Sequence, residues 1–167
     1  MHPPTTETTH PVSTFVRVIV LGLATILVQW FVLGRITLWG AYPDVVLLYV
    51  AWVGLRYGRM WGTTSGFLGG FLLDAIYGTW GMHMLLKTLM GFLAGLYPAS
   101  ERESLVILPR QAFLGGLVIA VIHNGLFVIM LALQAGVRNT FLVAGLWLGS
   151  ALYTAFVGTL ATLFGTR

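Results

Sequence analysis

Residues Gly66 to Gly95 read GFLGGFLLDAIYGTWGMHMLLKTLMGFLAG. Two apolar runs flank a Gly-Thr-Trp-Gly turn at residues 78–81. The first run carries Gly66, Gly70, Asp74 and Gly78, one small or acidic residue every fourth position. The second carries Lys87, Gly91 and Gly95 at the same spacing. Residues four apart share one face of a helix. Folding the runs antiparallel between Trp80 and Gly81 sets Gly70 opposite Gly91, Gly66 opposite Gly95 and Asp74 opposite Lys87. Because both stripes have period four, one match brings the others with it. The pattern predicts a glycine-lined helix hairpin whose register is set by an Asp74–Lys87 ion pair.

Outward from this hairpin the chain stays apolar. Of its 167 residues, 57% are hydrophobic and 8% charged, and mean hydropathy is +0.89. A soluble domain of this size cannot cover that much apolar surface, which points to an all-α polytopic membrane protein. There is no cysteine, so thiol chemistry and disulfides are excluded. The net charge of +4 is not gathered into a basic run, so no nucleic-acid partner is expected. Membrane lipid is the surrounding medium.

Six spans of about 20 apolar residues fit the chain. Residues 1–14, with three prolines and five threonines, read as a disordered tail, and residues 15–167 as one membrane domain. The expected spans are Phe15–Leu33, a second starting at Thr37 or Pro43 and ending at Tyr57, Trp61–Tyr77, Met82–Tyr97, Gln111–Gln134 and Phe141–Phe164. Pro98–Pro109, with Glu101, Arg102 and Glu103, reads as a solvated loop, and residues 136–140 as a turn. Arg17, Arg56, Arg59, Arg102, Arg110 and Arg167 fall on one side, against Arg35 and Arg138 on the other. Positive charge marks the cytoplasmic side, so both termini are expected there.

Counting about 1.5 Å per residue from each cytoplasmic helix end puts Asp44 and Asp74 at about 20 Å, Lys87 at about 15 Å and His123 at about 18 Å. Gln29 and Ser150 fall at about 21 Å and Tyr153 at about 16 Å. The expectation is one buried polar layer centred on Asp44, Asp74, Lys87 and His123. It can be structural glue between helices, a ligand or ion site, or a contact for a partner's helix, and the spacing leaves all three open. His83, beside the outer turn, is expected to reach water. His123 and Asn124 form a polar step in the fifth span, without metal-ligand spacing. Gly66, Gly70, Gly91 and Gly95 read as positions of close packing within the chain or of docking by a partner's helix. The pair Gly145 and Gly149 in the sixth span reads as a further packing or partner-docking stripe. Gly58 and Gly62 are expected to open the bend around Arg59.

Enzyme signatures are missing. Gly62-Thr-Thr-Ser-Gly66 is not a serine nucleophile turn, and Ser65 falls about 6 Å from the cytoplasmic edge, well below His123. No zinc-protease, phosphate-loop or dinucleotide motif occurs. The expectation is a non-enzymatic protein without metal or cofactor.

Pro43-Asp44-Val-Val-Leu-Leu, the Gly66–Asp74 stripe, Gly78-Thr-Trp-Gly81-Met-His and Lys87-Thr-Leu-Met-Gly91-Phe-Leu-Ala-Gly95 together resemble the rod shape-determining protein MreD family. The likeness covers the second to fourth spans in its motifs and the whole chain in length and hydropathy. It implies a multi-pass protein of the bacterial cytoplasmic (inner) membrane that binds MreC. Through MreC it would support the SEDS glycosyltransferase and class B penicillin-binding transpeptidase of lateral peptidoglycan synthesis, with MreB on the cytoplasmic side; a homodimer is left open. The resemblance also implies a compact six-helix bundle similar to the substrate-binding subunits of energy-coupling-factor transporters. The second reading is therefore a vitamin-type binding subunit. Such subunits dock through Ala-x-x-x-Ala on the first span, whereas Ala24 is followed here by Val28.

Overall fold

The computed structural model describes residues 11–102, 104–135 and 143–165. All regular elements among them are helical: α1 Pro11–Val28, α2 Val45–Tyr57, α3 Arg59–Tyr77, α4 Met82–Ala94, α5 Pro109–Ala135 and α6 Ser150–Gly165. Two π-helical segments extend this set, Gln29–Leu33 after α1 and Val143–Gly149 before α6. With them, three helices are long and apolar enough to cross a membrane, over Val12–Leu33, Pro109–Gln134 and Ala144–Phe164. The tail residues 1–10, Glu103, the turn at 136–140 with Arg138, the start of the sixth span at Phe141 and the terminal Arg167 lie outside the described residues. Residues 11–14, read from sequence as the end of the tail, form the first turn of α1. Pro11 heads that turn, where a missing amide hydrogen removes no helical bond.

α2 is the axis of the bundle. Val46, Leu47, Val50, Ala51, Val53 and Gly54 are all buried along its 13 residues. One face packs Val46 and Val50 against Ile26 of α1 and Leu73 of α3. The other sets Leu47 against Met90 of α4, Ala120 of α5 and Ala151 of α6. A helix apolar on every side is stable only when surrounded, and α2 is. The remaining helices turn large apolar side chains outward, among them Phe15, Phe71, Leu85, Ile129 and Phe156. The side chains of Lys87, Asp44, Asp74 and Gln29 are instead buried. This arrangement of polar inside and apolar outside suits a lipid surround.

The α3–α4 hairpin forms, in a register other than the expected one. A Cβ on Gly91 would meet the Gly62 carbonyl, and one on Gly66 the Lys87 carbonyl. Gly70 lies against the backbone of His83 and Met84, and Gly95 against Arg59. Gly91 thus faces Gly62 in place of Gly70, a slip of eight residues, about two helical turns. A stripe of period four cannot distinguish these registers, and Gly62 extends the α3 stripe far enough to permit the slip. The chain descends through Gly78–Gly81, with left-handed backbone at both glycines (φ 69° and 89°), so α4 starts beside Gly70 and Asp74. Gly62 therefore belongs to the helix contact. The bend before Arg59 falls to Gly58 alone, whose φ of 93° suits a residue without Cβ.

Candidate functional site

At 13 residues each, α2 and α4 rise about 20 Å, less than the roughly 30 Å of a bilayer's hydrocarbon core. If the bundle spans a membrane, backbone just outside these helices lies at apolar depth. Irregular backbone is tolerated there only when its polar groups are satisfied by protein. The polar layer performs this task for the segment before α2. The Gln29 side chain donates from Nε2 to the Pro43 carbonyl (2.9 Å) and accepts at Oε1 from the Val45 amide (2.9 Å). Ser150 Oγ accepts from the Tyr42 amide (3.1 Å), and Thr154 Oγ1 from the Asp44 amide (2.9 Å). Leu38 and Ala41 close the tip of the connector by exchanging backbone bonds of 2.9 Å.

Asp44 is the hub. Its Oδ1 caps α2 by accepting from the Leu47 amide (2.8 Å), and its Oδ2 pairs with the Lys87 ammonium. Lys87 is fully buried in α4, 43 residues away in sequence. The expected Asp74–Lys87 pair is therefore not formed. Asp74 instead closes the hairpin turn. Its Oδ1 accepts from the Thr79 hydroxyl (2.6 Å) and the His83 amide (3.0 Å), and its Oδ2 from the Met84 amide (2.9 Å). His83 and Met84 are the second and third residues of α4, whose N-cap, Gly81, offers no side-chain cap of its own. A carboxylate at a helix N-terminus answers both the open amides and the dipole. The physical reason for the exchange of partners is the register: α4 starts level with Asp74, so that carboxylate meets amides, and Lys87 lies deeper, beside the N-cap of α2.

His123, 2% exposed, lies next to Asn124; its Nδ1 donates to Asn124 Oδ1 (2.9 Å). His83 is buried at 5% exposure and stacks on Phe127 with centroids 5.0 Å apart, contrary to the expectation that it reaches water. The descending turn folds it inward. His83 Nδ1, His123 Nε2 and Asn124 Nδ2 have no hydrogen-bond partner within the described residues. These three residues help to line a cavity of about 10 Å³, together with Tyr42, Asp44 and Ser150. That is room for about one water molecule.

The structure thus gathers Asp44, Lys87, His123, Gln29 and Ser150, and sets Asp74 apart at the turn. Tyr153 is half-buried and Thr154 fully buried in its place. The spacing of four between Ser150 and Thr154 was the available signal, since both hydroxyls fall on one helical face. Gly145 lies against the Trp39 carbonyl and Gly149 against Ala41. This pair therefore packs on the chain's own connector. Ser65, from the rejected nucleophile turn, donates its hydroxyl to Gly62 in the same helix (3.0 Å).

No protein-family model, no curated protein and no solved structure matches the chain.

Proposed function

We propose that the chain is a non-enzymatic membrane scaffold of the bacterial elongation machinery. In this reading it spans the inner membrane six times with both termini cytoplasmic, binds MreC and supports lateral wall synthesis. The motif resemblance to the MreD family motivates the proposal. One observation carries the choice of scaffold over carrier. Gln29, Ser150 and Thr154 of the polar layer bond the protein's own backbone, and the cavity beside them holds about 10 Å³, whereas pockets for small metabolites run to about 300–1,000 Å³. A larger cavity of about 400 Å³ lies between α1, α2 and α3, but its lining is nearly all apolar, from Phe15 and Ile26 to Leu72. It lacks the convergent polar groups that would orient a vitamin, and a basic pocket of about 390 Å³ opens at the end of the bundle, away from the polar layer.

The test is affinity purification of the tagged full chain from native bacterial membranes. Recovery of MreC with the wall-synthesis pair supports the scaffold. Recovery of an energising ATPase module, with a small molecule retained in native mass spectrometry, would replace it by the transport reading.

A further inference from the structure

At the end of the bundle opposite the hairpin turn, α2 stops, α3 starts and α4 ends around one open pocket of about 390 Å³. Its lining includes Tyr57, Gly58, Arg59, Tyr97 and Arg102. Three arginines converge on this end. Arg102 donates from Nη2 to the carbonyls of Gly95 (2.9 Å) and Tyr97 (2.7 Å), neutralising the C-terminus of α4. Its Nε is buried with no partner among the described residues. Arg56 donates to the Arg102 carbonyl and so fixes the loop that carries that guanidinium. Arg59 is exposed at the rim. α3 starts at Gly58 with no side-chain cap, so its first-turn amides add to the positive field. The nearby carboxylate of Glu101 accepts from the Tyr97 hydroxyl (2.8 Å) and is not part of the lining.

We propose that this pocket binds the phosphate headgroup of an anionic phospholipid. Arginine side chains and free helix amides are the donors that a phosphate diester takes. The size suits a headgroup, and basic pockets between membrane helices are known sites for anionic lipids. The rim favours lipid over soluble phosphate. Met60 and Leu96, 81% and 55% exposed, border the pocket with apolar surface for acyl chains. Tyr57 and Tyr97 supply aromatics of the kind found at the membrane–water boundary. The site is independent of the scaffold reading, since it needs only the bundle and a bilayer.

The experiment is native mass spectrometry of the full chain released from vesicles of equal phosphatidylglycerol and phosphatidylcholine, matched in acyl chains. The expected result is preferential retention of phosphatidylglycerol, falling about fivefold in Arg59→Gln, the change due to one arginine near an anionic surface. Arg59 is exposed, so the variant keeps the fold, and an unchanged melting temperature checks this. Arg35→Gln, at the other end of the bundle, should retain phosphatidylglycerol as the parent does. Equal retention of the two lipids overturns the proposal. So does an unaltered preference in Arg59→Gln, an equal loss in Arg35→Gln, or displacement of the lipid by inorganic phosphate alone.

Discussion

A single carboxylate, Asp44, ties three parts of the chain together. Its two oxygens hold the start of α2 and the Lys87 ammonium of α4, while its amide donates to Thr154 of α6. Removing one member of such a buried pair strands the other, which costs about 3–5 kcal/mol. Lys87→Leu should therefore be strongly destabilising in denaturant unfolding in detergent, and Asp44→Asn with Lys87→Gln should cost less than Lys87→Leu alone. The same measurement separates the two aspartates. Asp74→Asn and Lys87→Gln should add within about 0.5 kcal/mol, as residues without a shared contact do. Strong coupling between them would restore the hairpin pair that the structure lacks. Asp74→Ala should instead cost about 1–2 kcal/mol as a lost cap and speed hydrogen exchange at the His83 and Met84 amides. Thr154→Val keeps the shape but leaves the Asp44 amide unsatisfied, at about 1–3 kcal/mol. Tyr153→Phe should be close to neutral by comparison.

At the scale of the elements, the hairpin is held by backbone-to-backbone approach. Gly62, Gly66 and Gly70 on α3 leave no room for a Cβ against α4, and Gly54 of α2 meets the same Gly91 carbonyl. Small residues let helices approach this closely in a medium with no hydrophobic drive between them. Gly91→Leu should force α3, α4 and α2 apart and cost at least about 1–3 kcal/mol, the usual penalty of overpacking. Gly115 of α5 has open space around it. Gly115→Ala should be neutral or stabilising by about 0.5–1 kcal/mol through helix propensity. Unfolding of the two variants in the same detergent compares them; equal behaviour would deny the close contact. The period-four stripe announced this interface, but not its register. Repeated glycines make neighbouring registers nearly equivalent, and the choice was made by Asp74 capping α4 and by Lys87 reaching Asp44.

For the whole molecule, the absence of native cysteine makes the orientation of the bundle directly measurable. Trp39 and Trp80, each 91% exposed, sit in the α1–α2 and α3–α4 connectors at one end, and Ser100 in the α4–α5 loop at the other. Single variants Trp39→Cys and Trp80→Cys should react with an impermeant thiol reagent from one side of sealed vesicles, and Ser100→Cys from the opposite side. Labelling of all three from one side would rule out the alternating passage of α2, α3 and α4 across a bilayer. The short α2 and α4 explain why polar groups crowd one end. The connector before α2 reaches inward among the helices, and Gln29, Ser150 and Thr154 meet its backbone there.

By itself the amino-acid sequence determined the helical class, the apolar exterior and the positions of the hairpin turn and glycine stripe. It also identified Asp44, Asp74, Lys87 and His123 as groups to be buried. These follow from local facts, namely which side chains tolerate hydrocarbon and which spacings share a helical face. Only the tertiary structure decided that Lys87 belongs to Asp44 and Asp74 to the amides of α4. It also turned His83 inward and put Thr154 in the place expected for Tyr153. Partner choice depends on the height at which each helix begins, and that height is fixed by the folding of the connectors. A periodic sequence repeats its pattern every turn and carries no mark of where along the axis its neighbour will start.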